Sequence, residues 1–287
     1  MNRFVIAAWL CLTIGVFPAR AADRRYTYET DVPYSKLDNG KELMMDIATP
    51  TGKGPFPAVV CVHGGAWRFG NRKDMEGWAK FLAIDGYVAA TITYRLLPDA
   101  KFPEPIIDCK TAVRFLRANA AKFHIDRDRI GAMGYSAGGH LVSLLGTTDS
   151  SAGFDGKEYP KESSQVQAVV DYFGPCDLRF YGKDDSAQST CFTPLLGKSF
   201  KDDPSVYLAA SPIKYVNKDS APFLIMHGTR DWLVSVDQSR EMNAKLKEAG
   251  VPVWYLELEG ANHGFTGKDS SKSTSMVAKF LAGYLKK

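Results

Sequence analysis

The sequence predicts an α/β fold with a mainly parallel sheet wrapped by helices. Two observations carry this. Short, nearly all-apolar runs at 57–62, 87–93, 166–173 and 222–227 alternate with stretches of helical spacing, as expected for strands covered on both faces and joined by crossover helices. At 129–141 an apolar run meets a turn of small residues and then a helical pattern, so strand passes to helix through a sharp turn.

The first segment is of a different kind. Arg3 precedes an apolar run over 4–17, and Ala19-Arg20-Ala21 then offers small residues at cleavage positions. This is the layout of a secretory signal peptide over 1–21. The 14 apolar residues are too few to span a bilayer comfortably. A short membrane anchor is the competing reading, but the polar Asp23-Arg24-Arg25 that follows favours cleavage, and Cys11 lacks the small neighbours of a lipoprotein site. The expectation is a secreted or periplasmic protein without a stable membrane anchor. Loss of Arg3 and Arg20 takes the formal charge from +4 to +2. No basic stretch is dense enough for nucleic acid.

In order along the remainder, 26–48 alternates as an antiparallel edge, with a turn at 37–41. The strand at 57–62 follows, then a helix over 75–84 ending at Asp85-Gly86, a strand at 87–93 and an amphipathic helix over 105–120. The charged run 122–129 reads as a solvated loop. After the turn at Ser136 come a helix to about 147 and a strand at 166–173. Residues 174–210 break the rhythm with prolines, glycines and polar residues, as an insertion would. A strand at 222–227, a helix over 236–249, a strand at 253–258 and a helix over 273–285 complete the chain. No repeat or linker divides it, so 22–287 is expected to be one domain.

Of the four cysteines after the leader, Cys61 and Cys109 lie in apolar strand and helix patterns and read as buried thiols. Cys176 and Cys191 bracket a loop-rich segment of an exported chain, and a disulfide between them is expected. None has metal-site spacing with histidine, so no metal or other cofactor is expected.

The chemistry gathers at predicted strand ends. Gly134-Tyr135-Ser136-Ala137-Gly138 fits the nucleophile-elbow pattern G-x-S-x-G, whose flanking positions must be small because two backbones pass closely there. His63-Gly64-Gly65 lies just past another strand, where glycines let N–H groups turn toward a developing oxyanion. The hole is assigned to the amides of Gly64, Gly65 and Ala137; Ala66, standing where a third glycine could be, leaves open which two loop amides point inward. Asp231 follows the strand at 222–227 through Gly228-Thr229-Arg230, and His263 follows the strand at 253–258. Ser136, Asp231 and His263 thus occur in the serine, acid, histidine order in which a neutral imidazole accepts the serine proton and the carboxylate holds its tautomer. Asp237 is a competing acid but opens a helix, where a carboxylate is structurally expected. His63, His124, His140 and His227 read as structural, and Asp108 as a buried support. Trp67, Tyr135 and Phe265 are expected to line the substrate site.

These motifs, together with Tyr94-Arg95-Leu96, Phe102-Pro103 and Ala210-Ser211-Pro212, resemble the α/β-hydrolase superfamily. The similarity is greatest to its bacterial esterase branch related to hormone-sensitive lipase and to secreted acetylxylan and feruloyl esterases. It runs from about residue 40 to the end. Tyr135 departs from the aspartate that many hormone-sensitive-lipase relatives carry before the serine, and 174–210 is the only stretch long enough for a lid. The resemblance implies an α/β-hydrolase fold and a serine esterase acting on small acyl esters, acetyl among them, of a small molecule or polysaccharide. Two alternatives stay open: an amide hydrolase of arylformamidase or peptidase type, and a hydrolase fold used only for binding.

Overall fold

The computed structural model describes residues 25–183, 186 and 188–286. The expected signal peptide at 1–21 lies outside them. Strands β1 (Tyr26–Lys36) and β2 (Glu42–Pro50) pair antiparallel across a turn closed by the Gly40 amide on the Leu37 carbonyl at 2.8 Å. They form the antiparallel edge that the alternation at 26–48 predicts. β2 runs antiparallel to β4 (Val88–Ile92), and β4 pairs parallel with β3 (Phe56–Val62). Next come β5 (Ile125–Tyr135), β6 (Val169–Tyr172), β7 (Phe223–Gly228) and β8 (Val253–Leu258), each parallel to its neighbour. The order across the sheet is β1-β2-β4-β3-β5-β6-β7-β8.

Because the central strands are apolar on both sides, each face must be covered. One face packs against Ile106, Cys109 and Val113 of α2 (Glu104–Ala118) and Leu141 and Leu144 of α3 (Ala137–Thr147). The other packs against Trp78 and Leu82 of α1 (Glu76–Ile84) and against the chain's last helix. The described residues of the interrupted segment 174–210 include short turns, a π-helical turn at Gln188–Phe192, α4 (Thr193–Leu196) and α5 (Pro204–Ala209). Helix α6 (Val236–Glu248) returns Met242 and Leu246 to the first face, and α7 (Gly267–Leu285) supplies Val277, Phe280 and Leu281 to the second.

Three boundaries differ from the sequence expectation for identifiable reasons. β5 starts at Ile125, inside the charged run read as a loop, since Phe56 pairs with Ile125 before an irregularity in the ladder. β6 is shorter than 166–173: Phe173 has φ 45°, which breaks the strand at its carboxyl end. α7 starts six residues before 273, in a polar stretch whose early turns face solvent and so carry no apolar periodicity. No helix among the described residues is long and apolar enough to cross a membrane.

Candidate active site

The parallel strands deliver the singled-out residues to one rim, in the order β3, β5, β6, β7, β8. At the end of β5, Ser136 stands at the N-cap of α3 with φ 53° and ψ −117°. A left-handed conformation is uncommon for a non-glycine residue, and such strain persists only where its surroundings impose it. Here the Ser136 amide donates to the Tyr172 carbonyl of β6 at 2.9 Å, and the His140 amide to the Ser136 carbonyl at 2.9 Å. The flanking glycine explains how the turn fits: a Cβ on Gly138 would lie 2.2 Å from the Val62 carbonyl oxygen. That pins the first turn of α3 against the end of β3 and brings Gly64 beside the serine. A Cβ on Gly64 would meet Ser136 Cβ at 3.4 Å.

The loop after β3 has three successive left-handed residues, Gly65, Ala66 and Trp67, at φ 111°, 52° and 57°. The Arg68 and Phe69 amides close it onto the Gly65 carbonyl at 2.9 and 2.8 Å. Beneath it His63 is buried, stacked on Tyr94 with ring centroids 4.4 Å apart, and its Nδ1–H donates to the Gly64 carbonyl at 2.7 Å. Burial lowers its pKa, so the ring is a neutral brace for the loop. The amides of Gly64 and Gly65 have no protein acceptor among the described residues. Ala137 is the first residue of α3, so its N–H has no intrahelical acceptor. Of these donors, Ala137 directly follows Ser136 and Gly64 packs against it.

Asp231 and His263 meet. His263 Nδ1 is 2.6 Å from Asp231 Oδ2, while Asp231 Oδ1 accepts the amides of Leu233 and Val234 at 2.9 Å each. The Asp231 side chain is wholly buried and the His263 side chain 15% exposed. Burial alone would raise the Asp231 carboxyl, but hydrogen bonds from His227 and His263 outweigh it and hold the group well below the usual carboxylate range. Phe173 spans the gap between elbow and base, its ring 5.8 Å from Tyr135 and 4.5 Å from His263. The Ser136 hydroxyl has no protein hydrogen bond among the described residues. Serine–imidazole contacts often tighten only once substrate is bound.

An acid-held imidazole, a strained serine and backbone amides on one sheet rim are the kinds of group that nucleophilic acyl transfer uses. Against known proteins, the BD-FAE family model matches residues 45–246. The chain belongs to the BD-FAE family. Esterase LipC of Mycobacterium tuberculosis is 35% identical over 271 residues, covering 93% of this chain and 65% of LipC. This BD-FAE chain thus spans just under two thirds of that relative. A solved structure described as a truncated form of a carbohydrate esterase from gut microbiota matches with TM-score 0.78 and 29% identity, covering 93% of this chain and 99% of that one. The propionate-bound Est2 esterase of Thermogutta terrifontis matches with TM-score 0.76 and 26% identity, covering 89% and 93%. The sheet and these neighbours make the fold an α/β-hydrolase fold.

Other expectations fall differently in this BD-FAE member. Cys176 and Cys191 are both free thiols rather than a disulfide. Cys176 is buried against α6, its amide donating to Gln238 Oε1 at 2.8 Å and its thiol to the Gln238 carbonyl at 3.0 Å. Cys191 instead sits in the π-helical turn, whose Thr190 carbonyl accepts from Arg68 at 3.0 Å. The aromatic residues expected to line substrate are packed side chains. Trp67 is 3% exposed between His140 and Phe192. Tyr135 accepts a hydrogen bond from Trp78, and Phe265 packs on Tyr172 and Phe173.

The competing residues take supporting places. Asp237 sits in the first turn of α6, paired with Arg240 at 3.0 Å. Asp108 is bound by the Arg95 side chain and amide. His140 Nε2–H donates to the Ala210 carbonyl at 2.7 Å, and burial brings its pKa down to about 4. Asp171 of β6 escaped the sequence reading. It is buried, accepts the Gly174 amide at 2.9 Å and the Ser143 hydroxyl at 3.1 Å, and so fixes the turn carrying Phe173. Also unforeseen is Trp232, 76% exposed immediately after Asp231; a tryptophan in a polar turn next to the candidate acid was the available signal. Among the described residues no cluster of three or more histidine, cysteine or acidic side chains could hold a metal ion.

Proposed function

We propose that the chain is a serine carboxylic-ester hydrolase that removes small acyl groups, acetyl above all, through an acyl-enzyme. The observation that carries this is the 2.6 Å Asp231–His263 hydrogen bond on the same rim as Ser136 and its unpaired amides. Ser136 Oγ attacks the ester carbonyl while His263 Nε2 takes its proton. The oxyanion is held by the amides of Ala137 and the Gly64-Gly65 loop. As the tetrahedral adduct collapses, the C–O bond to the alcohol breaks and His263 returns the proton to the leaving oxygen. Water, deprotonated by His263, then attacks the acyl-enzyme and releases the acid and Ser136. Asp231 stays ionised throughout, holding Nδ1–H and stabilising the imidazolium.

The alcohol is proposed to be a sugar of a polysaccharide. Supporting this are the neighbour described as a carbohydrate esterase, the leader expected at 1–21, and the exposed indole of Trp232. The Leu233 and Val234 amides clamp its turn onto Asp231 Oδ1, so a flat apolar surface is presented on a turn already ordered at the candidate acid. Arg230, two residues before it, and Asn262, next to His263, are also exposed, and a sugar presents both an apolar ring face and hydroxyl edges.

The test is a panel of p-nitrophenyl acetate, p-nitrophenyl decanoate, acetylated xylan oligosaccharides and N-formylkynurenine. Acetyl esters are expected to exceed the decanoate and the amide by about tenfold or more in kcat/KM. Covering about 50 Å² of indole contributes roughly 1.2 kcal/mol at about 25 cal/mol per Å². Trp232→Ala should therefore raise KM for the oligosaccharide about eightfold and leave p-nitrophenyl acetate unchanged. Turnover of the amide alone, or of no ester, would overturn the reading; an equal effect of Trp232→Ala on both esters would remove the sugar platform.

A further inference from the structure

His227 has the sequence setting of a structural residue, yet its ring reaches the candidate acid. His227 is the penultimate residue of β7 and is fully buried. Its Nε2 lies 2.9 Å from the Val234 carbonyl and 3.2 Å from Asp231 Oδ2. A carbonyl can only accept, so Nε2 carries the proton and donates it to Val234, with Asp231 Oδ2 close beside that N–H. Its Nδ1 lies 2.6 Å from Ser239 Oγ on α6. In the neutral ring with Nε2 protonated, Nδ1 accepts from that hydroxyl, which locks the tautomer. A directed chain results: Ser239 O–H to His227 Nδ1, His227 Nε2–H to the Val234 carbonyl with Asp231 Oδ2 3.2 Å away, and His263 to that same Asp231 oxygen.

We infer that His227 is a positioning residue for the acid–base pair, a second imidazole that shares Asp231 Oδ2 with His263 and fixes the direction in which that oxygen points. This rests on the esterase reading above. Oδ1 is already held by the Leu233 and Val234 amides, and the His227 ring ties down both the second oxygen and the Val234 carbonyl. The carboxylate is thereby held from both oxygens. The other charged groups near His227 are Asp171 on β6 and Glu257, its register partner on β8. Neither replaces the Nε2 proton, since both are acceptors when ionised. Two consequences follow from sharing. The carboxylate cannot rotate away from His263, and its charge is divided between two donors, so its pull on the His263 proton is moderated.

The experiment compares His227→Phe, which keeps a ring and loses both nitrogens, with His227→Gln, whose amide N–H₂ reaches about where Nε2 stands. With p-nitrophenyl acetate, His227→Phe should lower kcat about 10- to 100-fold with KM within about threefold of wild type. The acid limb of its pH profile for kcat/KM should move upward as Asp231 acts on His263 alone. His227→Gln should recover most of kcat. A strongly deshielded proton resonance from the Asp231–His263 bond should be present in wild type and in His227→Gln, and shifted or broadened in His227→Phe. If His227→Phe does not fold, Ser239→Ala carries the test: loss of the tautomer lock should lower kcat several-fold and shift the same resonance.

A folded His227→Phe with wild-type kcat, pH profile and resonance overturns the inference, as does Ser239→Ala with all three unchanged. Ser136→Ala separates the two levels of argument. If it hydrolyses the ester as wild type does, the esterase mechanism fails while the resonance still reports on His227.

Discussion

Ser136 is held in a left-handed conformation by hydrogen bonds on both sides, from its own amide to Tyr172 and from His140 to its carbonyl. What aims its partner is less visible from sequence. Burial pushes the Asp171 carboxyl up to about 6, against hydrogen bonds from Gly174 and Ser143. Its folded-state value is therefore above its unfolded value of about 4, so its contribution to stability is fully present below about pH 4 and is lost as pH rises through about 6. Above that range the ionised buried group costs on the order of 3 kcal/mol. Asp171→Asn keeps an acceptor for the Gly174 amide and cannot ionise. Its Tm relative to wild type is expected to rise between pH 4.5 and pH 8, measured by thermal melts; a difference constant with pH would contradict this. The elbow at Ser136 and the strand ends that carry Asp231 and His263 were legible because turn chemistry and apolar runs mark them locally. Asp171 and His227 were not, because their roles depend on partners from other strands and helices. The same limit explains the expected Cys176–Cys191 disulfide: separation along the chain says nothing about where a thiol points, and Gln238 of α6 takes the Cys176 thiol.

Among the elements, the β5–α3 turn depends on backbone proximity more than on side-chain packing. Gly138 sits so close to the ends of β3 that an added Cβ would fall 2.2 Å from one carbonyl oxygen and 2.6 Å from the next. Gly138→Ala should thus force β3 and α3 apart, with a loss of stability of about 3 kcal/mol or more in chemical denaturation. A loss under about 1 kcal/mol would mean that the turn relaxes freely. The apolar strands and amphipathic helices were readable because burial on two faces imposes continuous apolar runs and one face imposes helical spacing. Segment 174–210 was readable only as an interruption. Its short turns are fixed by distant anchors, such as His140 on the Ala210 carbonyl and Arg68 on Thr190, and no local periodicity announces those.

At the scale of the molecule, parallel strands bring residues far apart in sequence to one rim. Gly64 ends up beside Ser136, and His263 beside Asp231, because β3 neighbours β5 and β7 neighbours β8. The chain order read from sequence is therefore a consequence of the sheet, since each chemical group occupies the loop after its own strand. The whole functional account requires that the group attacking the ester be the hydroxyl at the elbow. The most direct measurement is turnover of p-nitrophenyl acetate by wild type and by Ser136→Ala, with folding of both checked by circular dichroism. The account predicts a fall in kcat on the order of 10⁶ for the variant, whereas a folded Ser136→Ala that turns over the ester at the wild-type rate would contradict it.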